Sequence, residues 1–157
     1  MIKLVTPLDQ VDNPNPTYEV GTRVIVNGGN EYIYLPGIAS CAAYDWIVFR
    51  TTGSGLSYGS VTRMGASGLS GQVGIAQGAV VGPAYGWFLI KGVGWGNFGV
   101  ANASGGSPLF SCGTTAMVGT TRVSTHMVYG AFAVGAGVSS GTGKVFVDYP
   151  YYIGNTL

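Results

Sequence analysis

Glycine sets the first limit on what this chain can fold into. It fills 28 of 157 positions, about 18% where ordinary domains carry ~7%. Between Met64 and Ile90 it returns at Gly65, Gly68, Gly71, Gly74, Gly78, Gly82 and Gly86. Each glycine inside a helix costs about 1 kcal/mol relative to alanine, so long helices are excluded and short strands joined by turns are favoured. The same stretch has no charged residue and exceeds the ~20 apolar residues a spanning helix needs. These glycines, with Pro83, Gln72 and Gln77, deny it that helix, and no membrane association is expected. The side chains that remain agree: 19 Val, 8 Ile, 13 Thr and 10 Tyr stand against 8 Leu, 3 Lys and 2 Glu. β-branched and aromatic residues fit a pleated surface, and helix formers are scarce. The expected class is all-β, in one domain by length.

The strand pattern begins after residue 18. Thr22–Val26 and Glu31–Leu35 flank Asn27-Gly28-Gly29-Asn30, a turn sequence between alternating apolar residues and a strong hairpin signal. Further strands are expected over Tyr44–Arg50, Gly71–Ala76, Tyr85–Lys91, Phe98–Ala101, Pro108–Ser111, Met127–Val134 and Lys144–Tyr149, each bounded by Gly, Ser, Thr or Asn. In Trp87-Phe88-Leu89-Ile90 apolar side chains point both ways, which predicts a strand covered on both faces. Ala39–Ala43 is open between a short helix and a loop. Short strands at this spacing predict a compact barrel or sandwich, spanning residues 19–157. Residues 1–18 read as an extended N-terminal arm. Asp9, Asp12, Asn13, Pro14, Asn15 and Pro16 cannot donate a regular ladder, while apolar anchors imply that the arm is docked. Leu4, Val5, Pro7, Leu8, Pro14 and Pro16 are the residues expected to reach a neighbouring subunit or another partner protein.

Catalytic patterns occur, and composition accounts for them. GxSxG appears at Gly55–Gly59 and Gly137–Gly141, but a nucleophile elbow needs a strand-to-helix turn and a nearby base. A hydrolase reading would join Ser57 or Ser139 to His126, the single histidine. Gly94–Gly99 matches GxGxxG without the helix and acid a dinucleotide site requires, and Gly141-Thr142-Gly143-Lys144 lacks parts of a phosphate loop. Both are expected to be turns. Glu19, Glu31, Asp45 and Asp148 fall near strand ends, where acids solvate turns, and no carboxylate pair is indicated. Cys41 and Cys112 lie far apart in sequence with no zinc-type spacing; two free, buried thiols are expected, with a single long-range disulfide as the alternative. No cofactor or metal is implied, and no enzyme. The N-terminus lacks the apolar core of a signal peptide, so synthesis in the cytoplasm is expected.

Charge is the second limit. Seven Lys and Arg and six Asp and Glu make 8% of the chain and leave +1, far from the basic balance of a nucleic-acid binder. A freely diffusing small domain has a surface about 25–35% charged. A surface this poor in charge and rich in Tyr, Thr, Ser and Gly fits burial against partners, because interface cores are depleted in charge and enriched in aromatics. Most rings are expected in the core, with Tyr18, Trp95, Tyr151 and Tyr152 as surface aromatics able to stack on a sugar.

One order of segments carries a resemblance. Val20-Gly21-Thr22 leads into Asn27–Tyr34, followed by Asp45–Val48, Val73–Gln77, the block Ala84-Tyr85-Gly86-Trp87 through Gly92, and Val145–Pro150. Over about residues 20–150 this resembles the head decoration, or capsid cement, proteins of tailed bacteriophages. The resemblance implies a β-tulip-like outline and a non-enzymatic virion protein, made in the host cytoplasm. It would sit on the head surface, bind the major capsid protein, often as a trimer, and stabilise the expanded shell. The alternative is a phage tail or fibre module that binds host surface carbohydrate.

Overall fold

The computed structural model describes residues 7–26, 28–52, 57–65, 69–99, 104–112, 116–120, 126–135 and 141–154, and among them the chain is all-β with no helix. The strands are β1 (Arg23–Ile25), β2 (Glu31–Pro36), β3 (Trp46–Thr52), β4 (Ser57–Arg63), β5 (Ser70–Ala76), β6 (Tyr85–Phe98), β7 (Pro108–Ser111), β8 (Val118–Gly119), β9 (Met127–Ala133) and β10 (Gly141–Ile153). They form one sheet in the order β1-β2-β6-β8-β7-β9-β10-β5-β3-β4, with β6 also paired to β10 and β5. These extra pairings make the sheet partly a ring. The second half of β6, β8, β7, β9 and β10 close a five-strand circuit, consistent with a compact barrel, and β1, β2, the first half of β6, β5, β3 and β4 extend from it as a layer.

Two apolar clusters lie on opposite sides of that layer. Tyr32, Tyr34, Trp46, Val48, Val73, Ile75, Trp87 and Leu89 continue into the ring interior of Phe98, Leu109, Val118, Val128, Val145 and Val147. Ile33, Leu35, Ile47, Phe49, Ala76, Phe88 and Ile90 form the second cluster, closed over by Cys41 and Val80 from the loops. Trp87–Ile90 is therefore buried on both faces, as its continuous apolar run predicts. The hairpin forms as its turn predicts: Gly28 and Gly29 take φ of 97° and 82°, Val26 N–H bonds the carbonyl of Asn30 at 3.0 Å, and Arg23 pairs with Ile33. Ala39–Ala43 is a loop.

Several boundaries differ from the sequence expectation. β6 and β10 are single strands of 14 and 13 residues. Gly94–Gly99 and Gly141–Lys144, expected as turns, lie almost wholly inside them and pair with each other, Gly143 opposite Gly96. Their glycines make room for bulky neighbours: a Cβ on Gly96 would stand 2.9 Å from Cζ2 and Nε1 of Trp46. β4 and β8 were not anticipated. Of the two GxSxG serines, Ser57 is in strand β4, and Ser139 lies outside the described residues.

The arm docks on its own body. Asp12 exchanges backbone hydrogen bonds with Tyr85 at 2.8 and 2.9 Å. Leu8 and Tyr18 pack on the first cluster, and Val11 and Val20 on the second. Leu8 is thus committed to this chain's core, while Pro7, Pro14 and Pro16 are exposed; Leu4 and Val5 lie outside the described residues. The clasp closes where the Tyr34 hydroxyl donates to the Asp12 carboxylate. Burial, and then that bond, hold the Tyr34 phenol above its ordinary value of 10.0. An unfolded tyrosine ionises near pH 10 while folded Tyr34 keeps its proton. The native state then binds more protons than the unfolded state, and stability falls as pH rises past that point. Tyr34→Phe is expected to cost about 1 kcal/mol at neutral pH and to flatten the alkaline loss, as read by urea titrations at pH 8 and above 10.

Candidate interaction surface

Strand alternation places a band of apolar side chains on one outer face. Of the nine large hydrophobic residues that are exposed among the described residues, seven lie on the second half of β6, on β9 or on β10: Val93, Trp95, Tyr129, Phe132, Tyr149, Tyr151 and Ile153. Register sets them side by side. Phe146 of β10 is opposite Val93 of β6 on one side and Phe132 of β9 on the other. The two phenylalanine rings stack at 4.8 Å and 24°. One step along, Lys144 pairs with Trp95, its Nζ 5.7 Å from the ring centre. Further down, Tyr129 faces Tyr151 and Met127 faces Ile153. Scattered surface hydrophobics are normal, but a contiguous patch of them marks an interaction site.

A register break in β10 divides this band. Up to Val147 the odd-numbered residues point inward; from Pro150 the even-numbered ones do. The shift is absorbed at Tyr149, at φ 45°, and on β9 at Gly130, at φ 71°. A Cβ on Gly130 would approach the Asp148 carbonyl oxygen to 2.7 Å, so glycine is required there. This break corrects one expected surface aromatic. Neighbours in a strand face opposite sides, so Tyr151 is outside and Tyr152 is fully buried, its phenol raised above the ordinary value by burial. Tyr18 is half-buried against Tyr34 and Trp87, with ring centres 5.4 and 5.1 Å away. Trp95 and Tyr151 remain as exposed rings, at 46% and 43%.

Where β6 and β10 diverge, a polar cluster sits on the surface. The Tyr149 hydroxyl donates to Glu31 at 2.5 Å, which raises its pKa. Glu31 pairs with Arg23 at 3.5 Å and Asp148 with Lys91 at 3.6 Å, and both cations lie over the Tyr149 ring. Beside it, between β3, β5 and the end of β10, an open groove of about 300 Å³ is lined by Phe49, Arg50, Ser70, Gly71, Gln72 and Tyr151. Sequence reasoning missed both features, because each needs the cross-strand register to bring distant residues together.

The acids do more than solvate turns. Glu31 is buried in the cluster just described, and Asp45 is buried in a network. Asp45 accepts from the Ala42 backbone at 3.0 Å and the Asn97 amide at 2.9 Å, and pairs with Arg63 at 3.1 Å. His126 lies edge-on to Tyr152 at 5.9 Å. No group of three or more potential metal ligands occurs among the described residues.

Both cysteines are free, Cys41 buried and Cys112 half-buried rather than buried. Burial pushes the Cys41 thiol up to about 11, so at pH 8 almost none of it is the reactive thiolate. Iodoacetamide on native protein is expected to label Cys112 first and Cys41 only on unfolding, read by peptide mass spectrometry. Comparison with family models, curated proteins and solved structures finds no match for this chain.

Proposed function

We propose that this chain is a non-enzymatic structural protein of a tailed-phage virion. It binds the outside of the head, against the major capsid protein and further copies of itself, a trimer fitting the family it resembles, and stabilises the expanded shell. The carrying observation is the outward-facing row Val93–Phe146–Phe132, exposed at Val93 and Phe132 and half-buried at Phe146, with Trp95 at its margin, on a chain that is only 8% charged. Aromatic and aliphatic side chains with few charges are what the buried centre of an interface is made of. Mass action supplies the mechanism: a subunit that binds only the expanded shell stabilises it by its binding free energy, and many copies multiply a modest contact.

The test mixes purified protein with expanded and unexpanded heads and measures retention by sedimentation. Retention on expanded heads is expected, weakened about 30-fold or more by Phe132→Glu or Phe146→Glu, as at an interface hot spot. Thermal melting would show that the variants are folded. Absence of retention, or equal retention of folded variants, would overturn the reading. The second reading, a tail or fibre module that binds host carbohydrate, is favoured by the groove at Arg50 and Tyr151.

A further inference from the structure

We propose that the groove between β3, β5 and the end of β10 binds a saccharide bearing a carboxylate, with Arg50 as the anchor, Tyr151 as the stacking face and Gln72 as the partner of sugar hydroxyls. The inference rests on the second reading above and uses residues apart from the Val93–Phe146–Phe132 row, so shell binding and sugar binding fail separately.

Arg50 is a cation without an acidic partner among the described residues. The three ion pairs among the described residues engage Arg23, Arg63 and Lys91, and none involves Arg50. All six side-chain acids of the chain are among the described residues. Arg50 is held by neutral groups instead: its Nε donates to the Ser70 carbonyl, and one terminal nitrogen lies 3.5 Å from the Ser70 hydroxyl. A guanidinium has five N–H donors. Two directed at Ser70 fix its plane and leave the end-on pair of nitrogens for a bidentate carboxylate. The cation is thus positioned by the protein and paired with no acidic side chain.

The other walls select the ligand class. The Tyr151 ring offers an exposed face, and the exposed Gln72 carries an amide that both donates and accepts. Phe49 is buried among the lining residues. The groove is at the small end of the ~300–1,000 Å³ range of ligand sites. An extended peptide has no strand edge to join there: β5 is paired to β3 on one side and to β10 and β6 on the other, β3 also pairs β4, and β10 also pairs β9. Strand addition, the usual source of affinity for extended peptides, is therefore blocked.

The test titrates the full chain by calorimetry and NMR with a galacturonate oligosaccharide, its methyl-esterified counterpart, a glutamate-rich peptide and inorganic phosphate. Saturable binding of the galacturonate is expected, with the ester weaker by about tenfold or more, since it loses the charge and keeps the shape. Arg50→Gln is expected to lose the same factor and Arg50→Lys to recover only part of it, because lysine cannot reproduce the fork. Arg50 also ties β3 to β5 through Ser70, so Tyr151→Leu serves as a second variant that leaves that tie in place; it is expected to weaken the galacturonate and the ester alike. Equal binding of acid and ester, unchanged binding by folded Arg50→Gln and Tyr151→Leu, or no saturation by galacturonate would each overturn the proposal. Peptide or phosphate binding as tightly as galacturonate would overturn the saccharide assignment.

Discussion

Asp45→Ala is expected to lower the unfolding free energy by about 3 kcal/mol, the lower end of what removing one partner of a buried pair costs. Asp45 is 1% exposed, and its carboxylate gathers three elements: the Ala42 turn, Asn97 of β6 and Arg63 of β4. Alanine leaves the Ala42 N–H, the Asn97 amide and the Arg63 guanidinium without that acceptor. Asn97 also bonds the Ala43 carbonyl at 3.2 Å, and the Arg63 side chain is 28% exposed, so water and the second acceptor recover part of the loss. Asp45→Asn keeps an acceptor oxygen and loses the ion pair, and should cost roughly half as much. Urea titration reads both values. An unfolding free energy for Asp45→Ala within about 1 kcal/mol of wild type would show that the network carries little of the fold.

The second large effect is at Trp46, whose indole is fully buried and lies over Gly96. Trp46→Ala is expected to cost about 3–5 kcal/mol through lost burial and the cavity left behind. Gly96→Ala should cost about 1–3 kcal/mol, because its methyl would stand 2.9 Å from ring atoms that cannot withdraw through a packed core. Trp46→Phe removes those atoms, along with an indole N–H that has no hydrogen-bond partner among the described residues. The alanine methyl then enters vacated space. The double variant Trp46→Phe with Gly96→Ala should therefore be more stable, by about 1 kcal/mol, than the sum of the single losses predicts. Simple additivity would mean that the ring and the glycine do not constrain each other.

The strand content was readable where apolar residues dominate. The 23–36 hairpin, β5, β7, β9 and the doubly buried centre of β6 follow from alternation or continuous apolar runs. Reading failed where glycine stands in for packing. The pattern ends a strand at Lys91 and makes Gly94–Gly99 a turn, yet β6 runs through Gly92, Gly94 and Gly96 to Phe98, because neighbouring side chains occupy the space a Cβ would need. Strand β4, Ser-Tyr-Gly-Ser-Val-Thr-Arg, has too little apolar pattern to announce itself and forms through its ladder with β3. Tyr151 and Tyr152 could not be assigned to faces without the break at Tyr149. The groove at Arg50 depends on the pairing of Gln72 with both Tyr151 and Phe49, a contact among three distant segments that no local pattern encodes.

β6 and β10 each belong to the ring along one half and to the outer layer along the other. Among the described residues, separating the two parts would break pairing along both of these strands, so the ring and the layer are expected to lose structure together.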